Sequence, residues 1–406
     1  MNRSVLSAPA RPARPTAAPA GAGRSPLAIV FVTVLLDLVG FGIVIPLLPL
    51  YAQGFGAGPV AVASLLAVYS AMQFLFAPSW GRLSDRFGRR PVLLVGLFGS
   101  ALSYLLCGLA GSVATLMAAR ALGGFMGANV GVAQAYVADV SPPEGRARAM
   151  GMIGAAFGLG FILGPALGGA LAGFGTAVPF LAAAGLTLGN ALLALWWLPE
   201  SLPAAARDTA PRVPGLAARL RALRGTRLRA PYAAAFLLTL AFAAAEATLS
   251  LWADRRWGMG PRTVAFLFAY LGLVSVLAQG WGVGRLTRRL GERRTAMLGL
   301  AALGVGLGAL AAAPTLAMLG LALAALAFGQ GTASPSLSSW VSRAAGAAEQ
   351  GKVLGVYQSL SALGRVVGPM GGGLAFAHLG ISAPYLAGAA LACAALAVLA
   401  LAGGVS

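Results

Sequence analysis

Four ionisable side chains lie inside long apolar stretches of this sequence: Asp37, Arg120, Glu246 and Arg365. A charged group at the centre of a membrane-spanning helix costs roughly 2.5–3.5 kcal/mol on insertion scales, so such residues rarely persist without a use. A buried carboxylate with an arginine nearby can take up a proton from one side of a membrane and release it to the other. These residue types therefore favour proton binding and transfer as the chemistry of the site.

The depth of each group follows from the helical rise of ~1.5 Å per residue. Asp37 is predicted about 15 Å from one face of the membrane and Arg120 about 12 Å from the other, near one level in a core of ~30 Å. Arg365 and Glu246 are predicted about 20 and 22 Å from the first face. Two carboxylate–arginine pairs are thus permitted, and they either carry protons or only fix the register of the helices.

The elements that hold these residues are predicted to be membrane-spanning helices. Of the 406 residues, 59% are hydrophobic and 10% are charged, and the mean hydropathy is +0.83. Soluble domains carry roughly 25% charged residues, and no single soluble core could bury this much apolar surface. A soluble enzyme and a nucleic-acid-binding module are excluded on this ground.

The apolar runs predict an all-α polytopic membrane protein with twelve transmembrane helices in two pseudo-symmetric six-helix halves. We predict a disordered cytoplasmic tail at 1–26, an N-terminal half at 27–198, a cytoplasmic linker at 199–230 and a C-terminal half at 231–406. The predicted spans are 27–49, 60–80, 91–110, 112–138, 147–171, 178–198, 231–252, 262–284, 294–313, 315–341, 352–376 and 383–402.

The net charge of +19 indicates topology and not a nucleic-acid partner. Of the 29 basic residues, 24 fall on the tail, the linker and alternate loops, whereas three fall on the other side. By the positive-inside rule, the basic side faces the cytoplasm. We therefore expect an inner-membrane protein with both termini in the cytoplasm.

Two segments of the first half recur in the second. GRLSDRFGRR from Gly81 aligns with GRLTRRLGER from Gly284 at an offset of 203, and the Gly-Pro pair at Gly164 recurs at Gly368 at an offset of 204. Two six-span copies in the same orientation are the plan of transporters whose halves rock about a central site.

Four motifs resemble those of a known transporter family. They are LDLVGFGIVIPLLP from Leu36, GRLSDRFGRRPVLL from Gly81, LMAARALGGFMGA from Leu116 and GLGFILGPALGG from Gly158. Together they resemble the signature motifs of the twelve-span drug/proton antiporter branch of the major facilitator superfamily. The segments from Tyr69 and Tyr136 are most similar to the tetracycline/proton antiporters.

The resemblance implies the major facilitator fold and proton-coupled efflux, by alternating access, of a tetracycline-like or other amphipathic compound. A proton-coupled metabolite or sugar symporter or exporter of the same superfamily remains the alternative. A sensor or an intramembrane enzyme is disfavoured, because the chain has neither an added soluble domain nor a convergent nucleophile and base.

The candidate residues fall into four groups. For proton coupling, Asp37 is expected to be the carrier, Arg120 its modulator, and Glu246 with Arg365 a second proton site or an acceptor for a cationic substrate group. The candidate gating residues on the cytoplasmic side are Gly81, Asp85, Arg89, Arg90, Asp139 and Arg148. The candidate helix-interface residues are Gly160, Gly164, Pro165, Gly168 and Gly169. The candidate substrate contacts are Tyr69, Gln73, Asn129, Tyr136, Gln279, Gln330, Tyr357 and Gln358.

Three structural expectations follow from these motifs. Gly81 should let a loop pack closely on a neighbouring helix, with Asp85 capping a helix or pairing with Arg89, Arg90 or Arg148. Arg288 replaces the acid in the second copy, which predicts a degenerate latch there. The glycines repeated every four residues from Gly160 should seal the interface between the halves.

No cofactor or metal is expected, since the sequence has no His/Cys/acid cluster and no phosphate-binding loop. Protons are the expected coupling ion. The expected partners are the lipid bilayer and a small-molecule drug or metabolite, with no nucleic acid, and the protein is expected to be a monomer.

Overall fold

A computed structural model describes residues 26–127, 130–142, 145–203, 207, 228–344 and 350–402. The side chains of residues 146–148 and 350–352 lie outside this description. The helices of the N-terminal half are α1 Pro26–Gln53, α2 Pro59–Phe87, α3 Arg89–Gly108, α4 Val113–Met126, α5 Val130–Val140, α6 Arg146–Leu171 and α7 Val178–Trp197. Those of the C-terminal half are α8 Arg229–Trp257, α9 Pro261–Leu277, α10 Val283–Ala312, α11 Leu316–Arg343, α12 Gln350–His378 and α13 Ala383–Leu401.

These helices fit twelve membrane crossings. Ten helical segments of the described residues are long and apolar enough to span a membrane, and one of them, Pro261–Ala312, has 52 residues. Because about 20 residues cross a bilayer, this segment is long enough for two crossings. The 29 residues of α12 are also long enough for one. The all-α polytopic membrane fold predicted from the sequence is confirmed.

The end of the second span differs from the predicted one. The fourth span corresponds to α4 and α5, with residues 128 and 129 between them outside the description, whereas α2 continues past the apolar run that ends at residue 80 as far as Phe87. Arginine and leucine are good helix formers, so the helix continues beyond its apolar part. Gly81 therefore lies within a helix and not in a loop, and a Cβ built on it would meet no heavy atom within 4 Å. The expected close packing at Gly81 is absent from this conformation.

The sharp break after α2 is made by a single glycine. Gly88 has φ 104° and ψ 156°, and in the second half Gly291 has φ 75° and ψ 166°. Side chains disfavour these positive φ values, so glycine is the residue suited to both breaks. The helix of the eighth span accordingly ends at Gly291, inside the range of α10. The two halves thus share their break as well as their sequence motif.

The second half carries one extra residue before this break. Gly88 lies 29 positions after Pro59, whereas Gly291 lies 30 positions after Pro261, although both prolines begin their helices after a glycine N-cap. A π-helical turn at Ala278–Gly282 lies within this stretch. Such a turn accommodates one inserted residue in a helix. We refer to Ala278–Gly282 as the π-turn.

The repeated glycines of α6 pack on α1. A Cβ on Gly164 would lie 2.6 Å from the Cα of Gly42, and one on Gly160 would lie 2.6 Å from the Cβ of Leu38. In the second half, the equivalent Gly368 faces α8 at 2.8 Å from the carbonyl oxygen of Leu240. The prediction that these glycines seal the interface between halves is wrong for this conformation, because they face a helix of their own half.

The two halves contact each other at the glycine that follows this series in each copy, Gly169 and Gly373. A Cβ on Gly169 of α6 would lie 3.0 Å from the Cβ of Ala265 on α9. The equivalent Gly373 of α12 abuts Ala63 of α2. All four residues lie away from the side on which α1 begins, α7 ends and α8 begins. We call that side the linker side and the opposite one the distal side.

The halves separate toward the linker side. Their contact still holds at mid-depth, where a Cβ on Gly158 would lie 2.6 Å from Cγ2 of Val276. Nearer the linker side, a Cβ built on Gly151, Gly154 or Gly355 would meet no heavy atom within 4 Å. The described contacts between the halves therefore lie at mid-depth and toward the distal side, and we call the unpacked space between α6 and α12 on the linker side the central opening.

Candidate functional site

Arg120 is the most deeply buried charged group of the candidate site. It is 1% exposed on α4, and its Nε and Nη1 atoms have no hydrogen-bond partner among the described residues. Its guanidinium carbon lies 4.2 Å from the centre of the Tyr69 ring on α2. Gly124 of α4 and Gly127, which directly follows α4, make room for this contact, because a Cβ on either would collide with Tyr69. A cation over an aromatic face gains about 2 kcal/mol or more when both are desolvated.

Asp37 lies on α1 and makes no ion pair with Arg120. The ion pairs of the described residues join Arg89 to Asp85, Arg89 to Asp139 and Arg343 to Glu292. Tyr69 and Tyr104 are each in electrostatic range of both Asp37 and Arg120. The two charges therefore share a neighbourhood without touching.

Glu246 and Arg365 are arranged in the same way in the second half. They interact electrostatically across α8 and α12 but do not approach within the 4.0 Å of an ion pair. Arg365 is exposed in the middle of its helix, and Glu246 is half-buried. The two pairs that the depth estimate permitted are thus neighbours and not direct ion pairs.

Three of the candidate substrate contacts are engaged with the protein itself. Gln73 donates through Nε2 to the carbonyl of Gly127 at 3.0 Å, and the hydroxyl of Tyr357 donates to the carbonyl of Ser334 at 2.9 Å. Tyr136 is fully buried, and its hydroxyl donates to the Pro199 carbonyl at 2.8 Å. Tyr136 therefore anchors the linker and does not line the opening.

The other candidate contacts differ in exposure. Gln279 is exposed in the π-turn, Gln358 is exposed on α12, and Gln330 is half-buried with its Oε1 atom lacking a partner among the described residues. Asn129 lies outside the described residues.

Two aromatic residues that the sequence analysis did not single out join the site. Phe41 of α1 lies 5.2 Å from the Tyr69 ring, and it meets Phe161 of α6 edge-on at 6.2 Å, both measured between ring centres. Phe41 lies one helical turn after Asp37, a spacing that could have identified it. Aromatic faces beside buried charges suit an amphipathic ligand.

On the linker side, Arg89 joins α2 to α5. Its guanidinium lies 2.6 Å from Oδ1 of Asp85 and 3.2 Å from Oδ2 of Asp139, and it donates to Oγ of Ser84 at 2.5 Å. Twelve per cent of the Arg89 side chain is exposed, against 24% for each acid. Three of the predicted gating residues are therefore brought together in one partly buried cluster.

The remaining predicted gating residues lie elsewhere. Arg90 donates through Nη2 to the carbonyl of Leu195 at 2.6 Å and does not pair with Asp85. In the second half, Arg293 makes the equivalent bond to the carbonyl of Leu399 at 2.7 Å. The side chain of Arg148 lies outside the described residues.

Glu200, which the sequence analysis passed over, caps α3. Its carboxylate accepts hydrogen bonds from the backbone nitrogens of Arg89 at 2.9 Å and Arg90 at 3.3 Å, and from two backbone N–H groups of its own loop. A carboxylate at this place is stabilised by the free N–H groups and the dipole of the helix. A side chain on Gly88 would collide with it.

The second half contains a cluster with the opposite charges. At offsets of 203 and 204, Glu292 replaces Arg89 and Arg343 replaces Asp139, and Nε of Arg343 lies 3.0 Å from Oε1 of Glu292. The prediction of a degenerate latch in the second copy therefore missed an ion pair that is kept with its signs exchanged. The Arg343 side chain is 75% exposed and Glu292 is 18% exposed, so this pair is more open to solvent.

The comparisons with known proteins agree with this architecture. The sequence matches the profile described as the Major Facilitator Superfamily over residues 30–281 and 232–404. It is 37% identical over 354 residues to the tetracycline resistance protein, class G, of Vibrio anguillarum, which covers 86% of this chain and 89% of that protein. It is 31% identical over 367 residues to multidrug resistance protein 2 of Bacillus subtilis (strain 168), which covers 88% and 90%.

A solved structure gives the same result. The human organic anion transporter MFSD10 (TETRAN) matches with a TM-score of 0.71 and 28% identity, over 92% of this chain and 98% of that one. The profile match over nearly the whole sequence and the relatives above 30% identity show that the chain belongs to the major facilitator superfamily of membrane transporters.

Proposed function

We propose that this transporter exports an amphipathic drug, tetracycline or a similar compound, from the cytoplasm across the inner membrane in exchange for protons. The observation that carries the proposal is the similarity, over more than 85% of the chain, to a tetracycline resistance protein and a multidrug resistance protein. The linker side is assigned to the cytoplasm by the excess of basic residues there. The central opening is then accessible to a cytoplasmic substrate.

Asp37 is the proposed proton carrier. It is a carboxylate about 16 Å along α1 from Pro26, in the neighbourhood of a buried arginine that has no ion pair with any described acid. Protonation of Asp37 removes a negative charge near Arg120, which changes the balance between the conformations open to either side. Glu246 is proposed as a second proton site or as the group that meets a cationic substrate.

The energy available is sufficient for export. One proton moving down ~150 mV supplies ~3.5 kcal/mol, which supports a gradient of a few hundred-fold.

The test uses proteoliposomes with an imposed pH gradient and a trapped pH dye. Tetracycline, a cationic drug and an organic anion are added to wild type and to Asp37→Asn. We expect proton flux with at least one compound in wild type and none in the mutant, with both proteins produced equally. Equal proton flux in Asp37→Asn would refute Asp37 as the carrier. No response to any compound would favour a metabolite as the substrate.

A further inference from the structure

Asp37 lines a small cavity inside the N-terminal half. The cavity has a volume of about 30 Å³ and lies between α1, α3, α5 and the end of α7. Asp37 and Thr33 are its two polar lining residues, and the other eight are aliphatic. A water molecule needs ~10–15 Å³ on this measure, so the cavity has room for one or two waters.

Thr33 presents an unsatisfied hydroxyl at this cavity. The residue is 5% exposed, and its Oγ1 atom has no hydrogen-bond partner among the described residues. Other helical threonines of the chain satisfy this group by donating to the carbonyl four residues earlier: Thr239, Thr248, Thr287, Thr295 and Thr332. A buried hydroxyl without a partner is costly, and a water in the cavity would satisfy it.

The position of Thr33 is fixed by a neighbouring helix. Its backbone carbonyl accepts a hydrogen bond from Nδ2 of Asn190 on α7 at 2.8 Å. Thr33 lies four residues before Asp37, so the two side chains are on the same face of α1. The cavity continues past Thr33 to Val30, about 10 Å from Asp37 toward the linker side. It also reaches Leu198 at the linker-side end of α7.

The charged and titratable neighbours of Asp37 do not line the cavity. Arg120 of α4, Tyr69 of α2 and Tyr104 of α3 are its electrostatic neighbours, and the cavity lining contains none of them. Asp37 thus has a polar neighbourhood around Arg120 and a separate contact with a water-sized space inside the half.

We propose that Asp37 exchanges its proton with the linker side through water held against Thr33, along a route inside the N-terminal half that is separate from the central opening. On release, the O–H bond of the Asp37 carboxyl breaks and a new O–H bond forms on the cavity water, which passes a proton on to bulk water. The Thr33 hydroxyl orients that water. This inference rests on the proposed role of Asp37 as the proton carrier.

The test compares threonine variants by infrared spectroscopy after a pH jump, which follows protonation of the Asp37 carboxyl directly and requires no substrate. The signal is assigned by its loss in Asp37→Asn. Thr33→Val keeps the shape of the side chain and removes the hydroxyl, so protonation should slow by about five- to tenfold, the usual effect of one lost hydrogen bond. Thr33→Ser should retain the wild-type rate.

Thr187→Val is the matched control. Thr187 on α7 is also buried, and its hydroxyl likewise has no hydrogen-bond partner in the described part of the chain. It does not line the cavity, so loss of that hydroxyl should leave the rate unchanged. A wild-type rate in Thr33→Val, or an equal slowing in Thr187→Val, would overturn the route. If Thr33→Val does not fold, Ala133→Val replaces it, because a larger side chain at Ala133 fills the same cavity. Protonation of Asp37 should also slow in that variant. A wild-type rate in Ala133→Val would overturn the proposed route as well.

The failure of this inference differs from that of the proposed function. If tetracycline drives no proton flux in wild type, the drug substrate is wrong, and the pH-jump rates still decide the route. If Asp37→Asn abolishes flux but Thr33→Val protonates at the wild-type rate, Asp37 stays the carrier and its proton takes another path.

Discussion

The ion pair of Arg89 with Asp139 in the first half and that of Glu292 with Arg343 in the second should contribute different coupling energies. Arg89 is 12% exposed and holds two acids and a serine hydroxyl, whereas Arg343 is 75% exposed and holds one acid. A partly buried hydrogen bond between charged groups contributes about 1.5 kcal/mol, and an exposed ion pair about 0.5 kcal/mol or less. We therefore expect coupling energies of about 1.5 kcal/mol for Arg89 with Asp139 and about 0.5 kcal/mol or less for Glu292 with Arg343.

Double-mutant cycles measure these energies. The variants are Arg89→Gln with Asp139→Asn, and Glu292→Gln with Arg343→Gln, each single and combined, with the free energy of unfolding measured in mixed micelles at increasing SDS. The cycle removes the cost of leaving one charge unpaired. Because exposed pairs are screened more, added salt should reduce the second coupling further. A coupling in the second half equal to or larger than that in the first would refute the reasoning from exposure.

Three further predictions address other contacts. Tyr69→Leu should destabilise the protein by about 2 kcal/mol relative to Tyr69→Phe, because leucine removes the aromatic face against which the Arg120 guanidinium lies and phenylalanine keeps it. Thermal unfolding of the purified variants measures the difference, and equal stabilities would contradict the prediction. Gly164→Ala should lower the free energy of unfolding by about 1–3 kcal/mol, because the new Cβ would meet the α1 backbone. Gly151→Ala should not lower it, because a Cβ there meets no heavy atom within 4 Å. Unfolding in SDS compares the two variants, and an equal loss of stability would exclude the close contact as the cause. Deletion of Gly280 should leave a folded protein that is monodisperse in size-exclusion chromatography, because it removes the extra residue that the π-turn accommodates. Deletion of Ala71 from the regular helix α2 should not leave such a protein. Aggregation of the Gly280 deletion would show that the π-turn does not accommodate the extra residue.

The sequence predicted what depends on pattern. Apolar runs of about 20 residues have few alternatives to a membrane-spanning helix, so the fold and the family followed from them and from the motifs. Asp85, Arg89 and Asp139 could be grouped because the motif spacing and the loop order place them on one side. Depth counting also placed Asp37 and Arg120 in one neighbourhood.

The sequence could not predict contacts that depend on the direction of a side chain. Two residues at one depth can face the same helix or different ones, which is why Arg120 rests on Tyr69 and not on Asp37. Glu200 was missed because an acid at the end of a span has the pattern of an ordinary loop residue. Its role depends on the chain turning at Gly88, which places the start of α3 beside its carboxylate. The burial of Tyr136 likewise depends on where the linker begins.

The π-turn bears on how the two similar halves of the protein differ. An extra residue in a regular helix turns everything beyond it by about 100°, which would move the Arg-rich end of the eighth span onto the wrong face. Here the π-turn, 17–21 residues after Pro261 and therefore near the linker-side end of the span, accommodates the extra residue, and both ends of the helix stay in register with their counterparts in the first copy. One half of the protein can therefore differ from the other within the eighth span while the two ends of that span keep their matching positions.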